Sequence, residues 1–211
     1  MVAIGELVLA AEPASWEAAG FAVEDGVVPA GTVRVRLAGP EAGRGIVSWS
    51  LRDAVGTDID GLATTSEDPA APLPPPAVHP NGAEGIDHVV VVTSDLERST
   101  AALAAAGIER RRLREVRTPE RTLAQGFFRL GEVILEVVDG MPLDPAAEPE
   151  PGAPAAFWGL VFAVADLDAT AALLGERLGA PRDAVQPGRR IATFRREAGL
   201  GLPVALISDA P

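Results

Sequence analysis

Residues 86–96 read IDHVVVVTSDL, and residues 158–167 read WGLVFAVADL. Each stretch runs from apolar residues into an aspartate and a leucine, a pattern typical of a strand that leads into a capped helix. Equivalent residues lie 71 positions apart in three pairs: Asp95 with Asp166, Ser99 with Thr170, and Leu103 with Leu174. A constant offset across a strand, a cap and a helix indicates that one supersecondary module is duplicated.

The repeated modules and their connections divide the chain into five segments. We predict an N-terminal βαβββ-like module at residues 1–62, a Pro-rich linker at 63–84 and a βαβββ module at 85–140. An acidic Pro/Ala linker at 141–155 precedes a last βαβββ module at 156–211. Because proline favours extended backbone, we expect the first linker to be extended rather than packed.

The same patterns predict the elements within each module. In the middle module a helix follows Ser94 or Asp95 and stops at Gly107. Three strands then follow at 109–116, 123–130 and 133–138, the last two joined by a tight turn at Gly131-Glu132. The last module repeats this order, with a helix from Asp166 to Leu178 and strands near 189–196 and 203–208. The front module has a strand at 4–10, a short helix at 14–19 and strands at 21–23, 32–37 and 46–51.

Composition limits the possible partners. The chain has 211 residues and a formal net charge of −12, which argues against binding to nucleic acid or to anionic membrane surfaces. No apolar run approaches the roughly 18 residues of a membrane span. No basic residue precedes Arg34, so the positive region of a secretory signal is missing. We therefore expect a cytoplasmic protein.

Absent residue types limit the chemistry. The chain contains no Cys, Tyr or Lys and only two His, His79 and His88. Thiol nucleophiles, disulfides, zinc–thiolate sites and Schiff-base lysines are therefore excluded. Neither a nucleophile elbow around a Ser nor a nucleotide-binding glycine motif occurs. The chemistry that remains belongs to His, carboxylates and Arg.

The repeated module resembles the vicinal oxygen chelate superfamily, which holds glyoxalase I, bleomycin- and fosfomycin-resistance proteins and extradiol dioxygenases. The resemblance lies in DHVVV at 87–91 on the first strand and LGEVILEVV at 130–138 on the last. It implies an α+β fold in which repeated βαβββ modules form a glyoxalase-like half-barrel cup. It also implies a cup that holds a divalent metal (Zn, Ni, Mn or Fe) or, in the sequestering members, none.

Residues on the first and last strands of a module hold the metal in that superfamily, which implies His88 and Glu136 here, with Glu136 as the catalytic residue. A carboxylate in an apolar strand needs a partner, since burying an unpaired charge is costly. Two alternatives satisfy Glu136 without metal: a hydrogen bond from a neutral His88, or an ion pair with an arginine such as Arg129.

The last module lacks these ligands. The offset of 71 places Gly159 at the position of His88, and aligning the strand ends places Leu206 at the position of Glu136. Catalytic sites usually have three or more protein ligands. Aligning Ile4 with Ile86 places Glu6 at the position of His88, so Glu6 is the candidate third ligand.

Other side chains could bind the substrate. Arg190 follows a loop into a strand and could hold an anion, Arg129 lies near Glu136, and Trp158 could line a pocket. For each, a surface ion pair or a core position is the structural alternative.

Three functions remain open at this stage. The first is a metal-dependent lyase or dioxygenase that acts on a small oxygenated substrate, and the second is a metal-free small-molecule binding protein of the drug-sequestering kind. The third is a structural or regulatory module whose cup is filled by its own side chains. An unpaired module would leave open strand edges, so we also expect a homodimer.

Overall fold

The computed structural model of the chain describes residues 1–117, 122–142 and 150–209, with only the backbone of Thr122. The elements of the described residues are, in order, β1 Ala3–Ala10, α1 Pro13–Ala18, β2 Val27–Ala30, β3 Val33–Leu37, β4 Gly45–Arg52, β5 Asp58–Ile59, β6 Leu62–Glu67, β7 Ala83–Thr93, α2 Leu96–Ala105, β8 Arg110–Arg117, β9 Thr122–Leu130, β10 Val133–Asp139, β11 Ala156–Val164, α3 Leu167–Leu174, β12 Arg182–Asp183, β13 Arg189–Thr193 and β14 Val204–Asp209. Short 3₁₀ turns lie at Pro40–Ala42, Gly175–Arg177 and Arg196–Ala198.

The strands form two mixed sheets. A six-stranded sheet has the order β2-β3-β1-β4-β6-β5, and an eight-stranded sheet has the order β12-β13-β14-β11-β7-β10-β9-β8. One pairing pattern occurs four times in the described residues: a first strand pairs in parallel with a last strand, which pairs antiparallel with the strand before it. The parallel pairs are β1 with β3, β4 with β6, β7 with β10, and β11 with β14.

This topology confirms the predicted fold class, an α+β fold of repeated βαβββ modules with a glyoxalase-like eight-stranded sheet. The middle and last modules both lie in the eight-stranded sheet, whereas the front segment forms the six-stranded one. In the front segment the pairing pattern is present twice, and only its first copy carries a helix, α1. Among the described residues, no helix is both long and apolar enough to cross a membrane.

The chain divides into two compact units that share strands β1, β4, β7 and β11. The first contains Met1–Gly5, Ser48–Ala71 and His88–Trp158, and the second contains Glu6–Val47, Pro72–Asp87 and Gly159–Pro211. In the first unit, α2 contacts β9 and β10, whose buried side chains include Phe128 and Leu135.

An aromatic cluster lies in the core of the second unit. The centroid of the Phe21 ring lies 4.9 Å from the ring centroid of Trp16 and 4.9 Å from that of Phe162. The Trp16 indole N–H also donates to the carbonyl of Leu200 at 3.3 Å. Aromatic side chains bury large areas, so this cluster supplies much of the apolar core of the unit.

Both predicted helix starts are confirmed. The Asp95 side chain accepts from the N–H of Arg98, and Asp166 accepts from the N–H of Ala169, so each aspartate is an N-cap. The stop of α2 at Gly107 is also confirmed, because this residue has a φ of 86° that favours glycine.

Two predicted elements of the terminal modules are wrong. Helix α3 ends at Leu174 rather than Leu178, because Gly175 leaves the helical conformation with φ 54° and ψ −129°. Residues 21–23 form no strand. Phe21 packs in the aromatic core, and the N–H of Ala22 donates to the ring of His79 instead of to a neighbouring strand.

The predicted linker at 63–84 is wrong at both ends. Its first residues belong to β6, which pairs with β4, and its last residues begin β7 at Ala83. Near the end of the segment, Asn81 is buried; it donates to the carbonyl of Ala19 at 2.9 Å and accepts from the Thr170 hydroxyl at 3.0 Å. Part of this Pro-rich segment is therefore packed, because its polar groups find partners within the fold.

A buried ion pair joins β6 to β4. Arg52 donates to Glu67 at 2.6 and 3.1 Å, and the two side chains are 9% and 11% exposed. Gly5 leaves room for this carboxylate, since a Cβ there would overlap the Glu67 side chain. The pairing holds a polar strand whose sequence, LATTSE, carries little apolar surface.

We predict that Glu67→Ala lowers the free energy of unfolding by about 3 kcal/mol, because it leaves the Arg52 charge buried and unpaired. Urea denaturation of the variant and of wild type measures the difference. The exposed Glu17→Ala is the control and should change stability by less than about 0.5 kcal/mol. The double variant Arg52→Met/Glu67→Met should recover most of the loss. Equal stability of Glu67→Ala and Glu17→Ala would contradict this account.

Candidate functional site

The register of the middle module brings its histidine and its acidic strand residue together. In the parallel pair β7–β10, Ile134 lies opposite His88 and Glu136 lies opposite Val90. Side chains alternate along a strand, so His88 and Glu136 project from the same face. His88 Nε2 lies 3.7 Å from Glu136 Oε2, and the two side chains are 16% and 15% exposed. The predicted proximity of these groups is therefore confirmed.

Glu136 is held by a chain of polar side chains from the neighbouring strands. Gln125 on β9 donates from Nε2 to Glu136 Oε1 at 2.7 Å. Arg114 on β8 donates from Nε and Nη2 to Gln125 Oε1 at 2.8 and 2.5 Å, which fixes the orientation of the amide. The Arg114 guanidinium also lies over the ring of Phe127, 5.5 Å from its centroid. We call the surface formed by His88, Arg114, Gln125, Phe127 and Glu136 the Glu136 face.

Burial raises the pKa of the Glu136 carboxyl above its ordinary value. The positive charges of His88 and Arg114 act in the opposite direction but are the smaller influence. Desolvation disfavours the charged form of an acid, so a proton on Glu136 is held more tightly than on an exposed glutamate. Perturbed carboxyl groups of this kind are common at sites of binding and catalysis.

Gln125 and Arg114 are functional candidates that the sequence analysis missed. The turn at Gly131 sets the β9–β10 register, in which Glu136 lies opposite Phe127 and Val138 lies opposite Gln125. A residue diagonal to an acidic strand residue is within reach of its side chain. The signal that could have found Gln125 was therefore the hairpin register combined with a polar residue in a half-buried strand.

The positions of the last module that correspond to His88 and Glu136 carry no metal-ligating side chain. Val90 pairs with Glu136 in β7–β10, and Val161 pairs with Ala205 in β11–β14. The residue equivalent to Glu136 is therefore Ala205, and the alignment with Leu206 is off by one. Ala205 belongs to a buried apolar cluster with Val161 and Ile207.

Gly159, at the position equivalent to His88, cannot carry a side chain without moving its neighbours. A Cβ there would lie 2.6 Å from the carbonyl oxygen of Pro203. The same carbonyl accepts a hydrogen bond from the N–H of Leu160 at 3.0 Å. The close approach of the two strands therefore excludes a metal-ligating side chain at this position.

Glu6 is engaged within its own sheet. Its carboxylate accepts from Arg36 at 2.8 and 3.1 Å and from Arg34 Nε at 3.4 Å, on the adjacent strand β3. Its role as a third ligand stays a prediction. Within residues 1–117, 122–142 and 150–209, no group of three or more His, Asp or Glu side chains is arranged to hold a metal ion.

The other histidine, His79, is a structural residue. Its Nδ1 accepts from the N–H of Ala22 at 3.0 Å, which leaves Nε2 as the protonated nitrogen that donates to the Pro29 carbonyl at 2.7 Å. The side chain is buried, and this burial lowers its pKa. His79 is thereby held as a neutral ring between two backbone groups.

The three predicted substrate-binding residues lie in different settings. Arg129 is exposed and donates to the carbonyl of Gly131 at 2.8 Å. Arg190 pairs with Asp168 of α3 at 2.5 Å. Trp158 is half-buried on β11. Their roles in substrate binding stay predictions.

The Glu136 face fits a catalytic metal centre only in part. His88 and Glu136 are ligand types that suit a divalent ion, and Gln125 orients the carboxylate as a supporting hydrogen-bond donor does in metal sites. Two protein donors nevertheless fall short of the three that a catalytic site usually provides. The described residues therefore do not complete such a centre.

Comparisons with known proteins find similarity to solved structures only. No family model matches the chain, and no curated protein matches it. A methylmalonyl-CoA epimerase from Mycobacterium tuberculosis is 20% identical, with a TM-score of 0.47, over 62% of this chain and 91% of that one. A variant of the Streptomyces coelicolor enzyme, in complex with 2-nitronate-propionyl-CoA, is 22% identical with a TM-score of 0.45, over 60% of this chain and 97% of that one.

The glyoxalase-like fold that the resemblance implies is confirmed. Its basis is the strand order of the eight-stranded sheet, in which two βαβββ modules lie side by side. A fold of this kind supports many activities, so the function has to be argued from the site.

We predict that Glu136→Gln becomes more stable relative to wild type as the pH rises. Burial raises the folded-state pKa of Glu136, so its proton stabilises the fold below the ordinary carboxyl pKa of about 4.3, and this contribution is lost as the pH rises through the folded-state pKa. The uncharged amide in Glu136→Gln causes no such loss of stability, so the variant gains relative to wild type as the pH rises. Urea denaturation at about pH 4 and about pH 8 measures the change.

The exposed Glu132→Gln is the control for this experiment. Its difference from wild type should be nearly the same at both pH values. A Glu136→Gln variant that behaves like this control would show that the carboxyl group is not destabilised by burial.

Proposed function

We propose that the chain binds a small, oxygen-bearing molecule on the Glu136 face, and that this binding needs no resident metal ion. The observation that carries the proposal is the placement of Glu136, a carboxylate desolvated among strands, with Oε2 3.7 Å from His88 Nε2. A group of this kind is costly to bury and is retained where it has a partner to bind.

The two oxygens of Glu136 have different surroundings. Oε1 accepts from Gln125 at 2.7 Å, whereas Oε2 faces His88 Nε2 at 3.7 Å. The second distance is longer than a hydrogen bond. A ligand hydroxyl within reach of both atoms could accept from one group and donate to the other. Gln125 and Arg114 hold the carboxylate in position for that contact.

The same pair could move a proton to or from the ligand. An acid whose pKa is raised by burial holds or accepts a proton closer to neutral pH than an ordinary glutamate does. Glu136 is therefore the residue that we assign as general acid or base if the protein is an enzyme, with His88 as its partner.

A metal-dependent lyase or dioxygenase of the vicinal oxygen chelate type is the second candidate. The observation that favours it is the same 3.7 Å distance between His88 Nε2 and Glu136 Oε2, which is close to the separation of two ligands of one ion. His88 and Glu136 would hold the ion, with further ligands from the substrate or water. The ion would act as a Lewis acid toward neighbouring substrate oxygens.

We expect purified wild-type protein to bind small oxygenated compounds in the presence of EDTA, with a rise in Tm that Glu136→Gln and His88→Ala both lose. A thermal-shift screen measures this, and Glu132→Gln should keep the response of wild type. Elemental analysis of the same samples tests the second candidate. Stoichiometric metal that is lost in His88→Ala, with ligand binding abolished by EDTA, would overturn the metal-free proposal in favour of the metal-dependent one.

A further inference from the structure

We propose that Arg114 makes the Glu136 face selective for ligands that carry a carboxylate, such as small hydroxy or oxo acids. This inference rests on the proposed function, since it takes the Glu136 face as the ligand site. It adds a chemical class for the ligand and a residue that determines specificity.

The orientation of Arg114 is fixed from two sides. Its Nε and Nη2 both donate to Gln125 Oε1, at 2.8 and 2.5 Å, so one edge of the guanidinium is occupied. Its Cζ lies over the Phe127 ring, 5.5 Å from the ring centroid. A guanidinium held in this way loses little further conformational entropy when it binds an anion.

The remaining edge of the guanidinium is a fork that matches a carboxylate. Nη1 and the outer hydrogen of Nη2 make no hydrogen bond to the part of the chain that the structure describes. These two N–H groups are parallel, and paired donors of this kind bind the two oxygens of a carboxylate. The Arg114 side chain is half-buried, so the fork is reachable from solvent but is less screened than on an exposed arginine.

The position of Arg114 also allows Arg114 and Glu136 to bind two different groups of the same ligand. Arg114 is close enough to Glu136 for its charge to lower the pKa of that carboxyl, and the Gln125 amide lies between them. A small acid with its carboxylate on Arg114 could therefore direct a hydroxyl or oxo group to Glu136 and His88. The chain carries a net charge of −12, so without a local cation an anionic ligand would be repelled.

A purely positioning role is the competing account, in which Arg114 only orients Gln125. The two accounts predict different effects of the ligand's charge on binding when Arg114 is removed. If Arg114 binds a carboxylate, its removal weakens the binding of acids more than the binding of neutral analogues. If Arg114 only positions Gln125, its removal weakens both to the same extent.

The test is an NMR titration of the full chain, with four acids and their matched amides as probes: acetate and acetamide, lactate and lactamide, pyruvate and pyruvamide, and malonate and malonamide. Backbone amide shifts of β9 and β10 report binding. In wild type we expect at least one acid to bind about tenfold more tightly than its amide, as a charge-assisted hydrogen-bond pair implies. In Arg114→Met the acid and its amide should bind equally, because the affinity for the acid falls more than the affinity for the amide. Arg114→Lys should keep part of the preference.

Arg117→Met is the matched control, because Arg117 is an exposed arginine on the same strand. It should keep the acid preference of wild type. The inference is overturned if no acid is preferred in wild type, if Arg114→Met keeps the preference, or if Arg117→Met loses it equally. The proposed function fails separately, if neither acids nor amides respond to Glu136→Gln.

Discussion

The parallel pairing of the first and last strands of a module is the constraint on which the site depends. In β7–β10 this register sets Glu136 opposite Val90, two residues from His88 on the same face. A slip of one residue would turn the carboxylate into the apolar side of the sheet, where Leu135 and Val137 are buried. Burial of the strand's apolar side therefore fixes the position of its acidic residue.

The two modules of the eight-stranded sheet use this constraint differently. The middle module carries a carboxylate, an imidazole, an amide and a guanidinium in contact range on one face. At the positions of His88 and Glu136, the last module has Gly159 and Ala205, and its equivalent surface is an apolar cluster. Of these two modules, only the middle one has the imidazole–carboxylate pair at these positions. In physical terms, one copy retains a costly buried charge and the other gains ordinary apolar packing.

The sequence predicted the middle module well because its signals are local. The apolar run before Asp95, the aspartate cap and the glycine at 107 each act within a few residues, and the helix and strands follow them closely. Strand β6 was missed because its stability comes from β4 and from the Arg52–Glu67 pair, both distant in sequence. The front segment was also harder to interpret, since its second pairing pattern has no helix.

The site was predictable only as far as single strands allow. His88 and Glu136 stand out as polar residues in apolar strands, but Gln125 and Arg114 become visible only through cross-strand register. Aligning the strand ends gave Leu206 as the equivalent of Glu136, and this was wrong for the same reason. Equivalent residues are defined by the pairing between strands, not by the distance from a strand end.

The most direct test of the account is a carbon-detected NMR titration of the Glu136 side-chain carboxyl in wild type and in His88→Ala. The account predicts that this group titrates above the ordinary glutamate pKa of about 4.3, and that removing His88 raises its pKa further, because the electrostatic interaction with His88 lowers it in wild type. A carboxyl group that titrates at the ordinary value and does not respond to His88→Ala would contradict the existence of a coupled, desolvated pair at this site.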